Sequence, residues 1–222
     1  MRKLLNRFEA KRWYIGSQNG TRSRLWLRDV FDWFLAHAVK IKSDRTVNQL
    51  ISLYSTILRV RDRLRDSGDR LVLAESCTAG LVAAELGQIP GISEFLCGSM
   101  VVYRTLTKAA WLGISQDPLF HPDIGPVSAQ VTMSLAEAVL IQTPEATISA
   151  AITGHLGPGA PPSLDGQLFF AVARRGLPSS LERVQKFKLT SPSPVNLDDL
   201  LRRGLRQREA AYALLHYLEI QV

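Results

Sequence analysis

The stretch Leu71–Gly80, LVLAESCTAG, decides the fold. Its apolar beginning, Leu71–Ala74, is short and ends abruptly, as a central strand of an α/β sheet does. The segment Ala79–Leu86 has the composition of a helix. Ser76 therefore lies at or just before a helix N-terminus, where free backbone N–H groups and the helix dipole can hold an anion or an oxyanion. The simpler interpretation is that Ser76 caps the helix, since serine is a favoured N-cap residue.

Helical and extended segments alternate along the rest of the chain. The patterns predict helices over 48–67, 79–86, 105–112, 129–142 and 197–218, and strands over 71–74, 95–103, 146–151, 167–173 and 183–189. Loops are predicted at 115–125 and 153–165, Ser128 is the predicted cap of the 129–142 helix, and Gly204 is a candidate interruption of the last helix. This alternation predicts an α/β fold with three α/β/α layers and a mixed sheet.

The net charge of +7 belongs to the first part of the chain. Residues 1–45 carry eleven Lys or Arg against four Asp or Glu, and the remaining residues carry sixteen of each. We therefore divide the chain into a basic N-terminal extension, 1–45, and a neutral domain, 46–222. The extension is expected to be disordered or partly helical over 25–41, and its arginine content leaves organelle targeting open. A nucleic-acid-associated protein that uses this basic arm is an alternative, although the neutral domain argues against nucleic acid as a partner.

Cysteine and hydropathy patterns exclude several classes of protein. Cys77 and Cys97 form neither a disulfide framework nor a metal-ligand spacing, and the four histidines are scattered, so we expect no metal site. No apolar run approaches the roughly 18–20 residues of a membrane span, so no membrane partner is expected. The cysteine usage predicts a reducing cytoplasm as the location.

Three loops that follow predicted strands carry polar groups. They are Glu75–Thr78, Tyr103–Lys108 and Thr153–Gly159. Because open α/β sheets bind ligands at the carboxyl ends of their strands, these groups are candidates to meet in one site. A serine with a lysine and a tyrosine, without an Asp–His pair, suggests a Ser–Lys nucleophile, which requires burial to lower the lysine pKa toward neutrality. The alternative for Lys108 is an ordinary surface lysine on a short helix.

Six short motifs occur in order between about residues 50 and 218. They are AESCTAG at 74–80, PGIS at 90–93, VVY at 101–103 with Lys108 and LGI behind it, GPVS at 125–128, TGHLGP at 153–158 and GQL at 166–168. With this ordered set the chain resembles the C-terminal domain of the competence-damage-inducible protein CinA, a family that also occurs alone as nicotinamide-nucleotide amidase. Each motif alone is weak, the ordered set is strong, and the resemblance does not extend to residues 1–45.

The resemblance implies cleavage of the carboxamide of nicotinamide mononucleotide, without metal or cofactor, to nicotinate mononucleotide and ammonia. Ser76 would attack the amide carbon and Lys108 would accept the serine proton. Tyr103 would relay protons or hold Lys108 in place, and backbone N–H groups over 76–78 would stabilise the oxyanion. The expected partners are a pyridine mononucleotide substrate and further copies of the chain in a homo-oligomer.

Substrate-binding positions are carried over in the same way. They are Glu75, Cys77, Thr78, Arg104, Thr153, Gly154, Gly157, Arg202 and Arg206. The glycines are expected to let the backbone approach the substrate, because they lack the Cβ that would block it. Arg104 either holds the nucleotide phosphate or faces solvent, and Arg202 and Arg206 keep an i, i+4 pair on one helix face.

Several residues depart from the family pattern. Ala79 replaces a glycine of the turn, Arg104 and Thr105 replace a usual Ser-Asn, and His155 replaces a small apolar residue and is expected to be an exposed loop histidine. The Gly-Asp that usually precedes the C-terminal arginines is absent. These changes leave the three candidate catalytic residues intact, and a catalytically silent binding or assembly module is the alternative function.

Overall fold

A five-stranded mixed sheet forms the centre of the molecule. The computed structural model describes residues 45–178, 180–189 and 199–222, so the helix predicted over 25–41 lies outside the described residues. The strands are β1 (Leu71–Glu75), β2 (Leu96–Val101), β3 (Ile148–Gly154), β4 (Gln167–Arg174) and β5 (Val184–Lys188), in the spatial order β2-β1-β3-β4-β5. The strands β2, β1 and β3 run parallel, and β4 and β5 are antiparallel to their neighbours.

Six helices precede, connect or follow the strands in this described part. They are α1 (Arg45–Ser67), α2 (Leu81–Leu86), α3 (Thr105–Leu112), α4 (Gln116–Phe120), α5 (Ala129–Gln142) and α6 (Asp199–Gln221), with short 3-10 turns at Ile92–Glu94 and Leu181–Arg183. The chain divides into two compact units, Met1–Leu50 and Ile51–Val222, and the sheet belongs to the second. None of the described helices combines the length and the apolar character needed to cross a membrane.

Side chains of β1 alternate between two apolar cores, one on each face of the sheet. Leu71 and Leu73 enter a core that contains side chains of α1, α2 and α6. Val72 and Ala74 enter the opposite core, which contains side chains of α3, α4 and α5. This alternation follows from the two-residue period of a strand, and it explains why β1 is apolar at every position up to Glu75. The predicted three-layer α/β/α fold with a mixed sheet is therefore confirmed.

Two helices have the predicted bounds because their ends are set by local signals. The helix α3 ends at Gly113, which adopts the left-handed conformation with φ +66° that favours glycine. The helix α5 is capped by Ser128, whose hydroxyl accepts a hydrogen bond from the Val131 N–H at 3.3 Å.

Other boundaries differ from the predictions because of conformation or pairing. The helix α2 begins at Leu81 rather than Ala79, since Ala79 and Gly80 have φ +54° and +95°. The strand β3 extends through Gly154, because its last residues pair with β4 in a hairpin. The short helix α4 lies within the predicted loop 115–125, and α6 runs through Gly204, where one glycine costs about 1 kcal/mol relative to alanine.

Candidate active site

The Ser76 hydroxyl and the Lys108 amine form the central contact of the candidate site. Lys108 Nζ donates to Ser76 Oγ at 3.0 Å and to the Val102 carbonyl oxygen at 2.8 Å. Ser76 directly follows β1, and Lys108 lies on α3, which begins shortly after β2. Because β1 and β2 are parallel neighbours, their carboxyl ends lie together and bring the two side chains within reach. The structure therefore places Lys108 inside the molecule, and the surface-lysine alternative does not hold, since only 2% of its surface is exposed.

Burial gives Lys108 the protonation behaviour that a general base requires. Desolvation disfavours the charged ammonium and lowers the pKa of Lys108 to about 8. Both of its hydrogen-bond acceptors, a hydroxyl and a backbone carbonyl, are uncharged. Roughly one molecule in ten therefore carries the neutral amine at pH 7, and about half do so at pH 8.

The Glu75 carboxylate is the cap of α2. It is fully buried and accepts hydrogen bonds from three backbone N–H groups at the start of α2 and from two hydroxyl groups. These donors, at 2.8–3.1 Å, are Gly80, Val82 and Ala83 through the backbone and Thr78 and Ser99 through their hydroxyls. The interpretation of Ser76 as the helix cap is therefore corrected. Glu75 and the Thr78 hydroxyl are engaged inside the protein, rather than in the substrate contacts predicted for them.

The turn after β1 leaves two backbone amides without a partner elsewhere in the described part of the chain. The Ser76 N–H donates to the Ile152 carbonyl at 3.2 Å, whereas the N–H groups of Cys77 and Thr78 donate to no other described residue. Burial raises the pKa of the Cys77 thiol to about 12, so this neighbouring sulfur stays protonated and is a poor nucleophile. Ser76 is therefore the nucleophile candidate in the turn.

Residues at the end of β3 serve contacts within the protein. The Thr153 hydroxyl is fully buried and lies 2.7 Å from the Thr132 hydroxyl. A Cβ on Gly154 would lie 2.2 Å from Leu168 Cδ2 and 3.0 Å from Cys77 Sγ. The absence of a side chain at Gly154 therefore makes room for β4 and for the nucleophile turn, and its approach to a substrate stays a prediction.

One face of α6 contacts all three loops that follow β1, β2 and β3. Arg203 Nη2 donates to the Tyr103 hydroxyl at 2.5 Å, and Arg203 Nη1 donates to the Gly157 carbonyl. Gln207 Nε2 donates to the Cys77 carbonyl at 3.2 Å. Positions 203 and 207 lie one helical turn apart on the same face, so a single helix connects the three loops.

The predicted arginine pair is split between two carboxylates. Arg206 forms two hydrogen bonds with the Asp165 carboxylate, at 2.7 and 2.8 Å, which lower the pKa of Asp165. Gly157 adopts φ +63°, and a Cβ there would lie 3.0 Å from both groups of this ion pair, which explains its glycine. Arg202 lies 3.6 Å from Asp199. Arg206 thus holds the loop after β3, and substrate binding by Arg202 and Arg206 stays a prediction.

A model of the CinA C-terminal domain matches residues 54–207. The chain belongs to the CinA C-terminal domain family. The CinA-like protein of Myxococcus xanthus (strain DK1622) is 36% identical over 127 residues, covering 56% of this chain and 30% of that protein. The CinA-like protein of Chlorobium phaeovibrioides is 40% identical over 126 residues, covering 56% of this chain and 28% of that protein. The chain thus spans about 30% of the length of these relatives.

Solved structures of CinA proteins share the fold. Competence damage-inducible protein A from Klebsiella pneumoniae matches with a TM-score of 0.60 at 23% identity, covering 73% of this chain and 94% of that chain. A CinA superfamily protein from Escherichia coli matches with a TM-score of 0.59 at 25% identity, covering 74% of this chain and 89% of that chain. The CinA fold is therefore present over about three quarters of the chain.

Some residues of this CinA domain lie elsewhere than the sequence suggested. Tyr103 is 49% exposed, and its hydroxyl is hydrogen-bonded to Arg203 rather than to Lys108. Arg104 is exposed, and His155 is half-buried with a pKa lowered by that burial. Among the described residues, no three His, Cys, Asp or Glu side chains gather as a metal site would need. Sequence reasoning missed Arg203, although its three-residue spacing from Arg206 could have placed both on one face.

Proposed function

We propose that the chain hydrolyses the carboxamide of nicotinamide mononucleotide to nicotinate mononucleotide and ammonia. The observation that carries this proposal is the buried 3.0 Å contact between Lys108 Nζ and Ser76 Oγ, with a lysine pKa of about 8. A hydroxyl becomes a useful nucleophile when an adjacent base accepts its proton, and a desolvated lysine can act as that base. The substrate class is carried over from the resemblance to nicotinamide-nucleotide amidases, and membership of the CinA family supports that choice.

The proposed reaction uses Lys108 twice. The neutral amine accepts the Ser76 proton while Oγ bonds to the carboxamide carbon, and the resulting ammonium returns a proton to the departing nitrogen as ammonia leaves. Water then attacks the acyl-enzyme, Lys108 accepts a water proton, and Ser76 leaves with a proton returned from the lysine. The Val102 carbonyl accepts one amine hydrogen throughout, which favours a lone pair directed at Ser76.

The backbone amides of the turn after β1 would stabilise the oxyanion. The N–H groups of Cys77 and Thr78 are the proposed donors, since no other described residue accepts from them. The five hydrogen bonds to Glu75 hold the following helix and so support a fixed turn. Removing one oxyanion donor costs roughly 2.7–4 kcal/mol in a serine hydrolase. For the nucleotide phosphate we assign exposed Arg104, which follows Tyr103 directly.

Release of ammonia and formation of nicotinate mononucleotide, followed by chromatography, test the proposal. Ser76→Ala should abolish turnover while the fold survives, because only one oxygen is removed. Lys108→Arg should be as inactive as Lys108→Ala, since a guanidinium keeps its proton near neutral pH. Lys186→Arg, on an exposed lysine of β5, is the matched control and should retain activity. An active Lys108→Arg protein would eliminate lysine as the base, and free nicotinamide as a second substrate would test the need for the nucleotide.

A catalytically silent CinA-like binding module is the second candidate, and Ala79 favours it. Ala79 lies three residues from Ser76 with φ +54°, a conformation that costs a residue with a Cβ about 1–2 kcal/mol. The family pattern has glycine here. Calorimetric binding of nicotinamide mononucleotide without turnover in the wild-type protein would select this candidate over the amidase.

A further inference from the structure

The Arg203 guanidinium connects the loop after β2 with the loop after β3. Its two terminal nitrogens donate to different acceptors, the Tyr103 hydroxyl after β2 and the Gly157 carbonyl after β3. Both acceptors are uncharged, and the structure shows no carboxylate beside Arg203 among the described residues. Among the described residues, Arg203 therefore donates its hydrogen bonds to these two loops, whereas Arg206 is paired with Asp165.

The contact between Arg203 and Tyr103 is linked to the Ser76–Lys108 pair through the peptide bond between Val102 and Tyr103. Tyr103 directly follows Val102, and the Val102 carbonyl accepts the 2.8 Å hydrogen bond from Lys108 Nζ. Tyr103 is 49% exposed, so packing alone restrains its ring weakly, and Arg203 is the hydrogen-bond partner of its hydroxyl. Displacing Tyr103 would therefore displace the segment that orients the Lys108 amine.

Donation from the guanidinium also orients the phenol. Because the Tyr103 oxygen accepts from Arg203 at 2.5 Å, its own hydrogen is directed elsewhere and remains available as a donor. The bond is charge-assisted and so stronger than a contact between neutral groups. The rigid planar fork of arginine reaches both acceptors at once, which the single ammonium of a lysine does not reproduce.

We propose that Arg203 is a positioning residue that acts through Tyr103 and the Gly157 loop on the Ser76–Lys108 pair. This inference rests on the proposed amidase function for its kinetic consequence. It differs from an assignment of Arg203 to the substrate phosphate, in which the guanidinium would bind the ligand and leave Tyr103 alone. The two roles predict changes in different kinetic constants, since loss of a positioning residue lowers kcat and loss of a phosphate contact raises KM.

A double-mutant cycle with nicotinamide mononucleotide separates these roles. Arg203→Met should lower kcat about tenfold to a hundredfold, the range of a hydrogen bond to a charged group, with KM changed less than twofold. In a Tyr103→Phe background the same substitution should lower kcat less than it does in the wild-type protein, because only the Gly157 contact is still lost. Arg203→Lys should behave like Arg203→Met. A raised KM with unchanged kcat, full additivity with Tyr103→Phe, or full activity of Arg203→Lys would each overturn the proposal.

Hydrogen exchange supplies a readout that does not depend on turnover. In Arg203→Met, the amides of residues 155–157 and 159, in the loop after β3, should exchange at least several-fold faster, while those of the central strands stay unchanged. Arg208→Met, at an exposed position of the same helix, is the control and should leave both exchange and kinetics unchanged. Unchanged exchange in this loop in Arg203→Met would refute the positioning role. If the wild-type protein releases no ammonia, the proposed function fails, and the exchange experiment still decides the role of Arg203.

Discussion

Replacing Lys108 with methionine removes a buried amine while keeping an unbranched side chain of similar length. The folded protein holds the pKa of Lys108 at about 8, against an ordinary value of 10.5. Between these two values the unfolded chain binds the lysine proton and the folded protein does not. The stability of the wild-type protein should therefore rise with pH in this window, relative to the methionine variant.

The size of this effect follows from the pKa difference. Each unit of pKa corresponds to about 1.4 kcal/mol, so below pH 8 the buried ammonium costs the fold about 3 kcal/mol. From pH 7 to pH 10 the wild-type protein should regain about 2–3 kcal/mol of this cost. The methionine variant also loses the hydrogen bonds to Ser76 and Val102, which changes its free energy of unfolding by an amount that varies little with pH.

Urea unfolding followed by circular dichroism at pH 7, 8, 9 and 10 measures the effect. Other titrating groups are present in both proteins, so their contributions cancel in the difference of unfolding free energies. Lys186→Met, which removes an exposed lysine of β5, is measured in parallel as the control. A Lys108→Met difference that is flat across pH 7–10 would refute the argument that burial controls this lysine.

Four further outcomes are expected. Glu75→Gln should lower the free energy of unfolding by about 3 kcal/mol in urea, because an amide nitrogen would face buried N–H donors. Ala79→Gly should raise the midpoint of thermal unfolding by relieving φ +54°, a gain of about 0.5–1 kcal/mol after the entropy of glycine is subtracted. Gly154→Ala should destabilise by about 1–3 kcal/mol in the same urea assay, since its Cβ would meet Leu168; an unchanged midpoint would contradict this. A chain beginning at Thr46 should stay soluble and keep the ammonia-release activity of the full chain, and an insoluble or inactive product would place the N-terminal extension within the structural unit.

The helices whose bounds were predicted best are those that have a cap or stop residue at their own end. The bounds of α3 and α5 follow from Gly113 and Ser128, which act on the residues beside them. The end of β3 was missed because it depends on pairing with β4, which is formed by residues more than ten positions away. Local rules make Gly204 a candidate interruption of α6, whereas the helix is continuous from Asp199 to Gln221.

The residues of the candidate site also differ in how well the sequence predicted their positions. The pairing of Ser76 with Lys108 was predicted from strand ends and from the family resemblance, and the structure brings the two side chains together. The buried position of Glu75 was not predicted. A carboxylate beside a nucleophile suggests a ligand contact until the three-dimensional path of α2 is known. Arg203 was overlooked for a different reason: its neighbours at 202 and 206 fit the family pattern, and its partners come from two distant loops.

The contacts of α6 give the molecule an order of assembly during synthesis. All five strands, together with Ser76 and Lys108, precede α6 in the chain. While α6 is still inside the ribosome, the loops after β1, β2 and β3 lack the bonds from Gln207 and Arg203. The same helix supplies side chains to the core on one face of the sheet, so that core is also incomplete until α6 has left the ribosome. Under the proposed function, amidase activity should then arise only after α6 has been synthesised and has packed on the sheet.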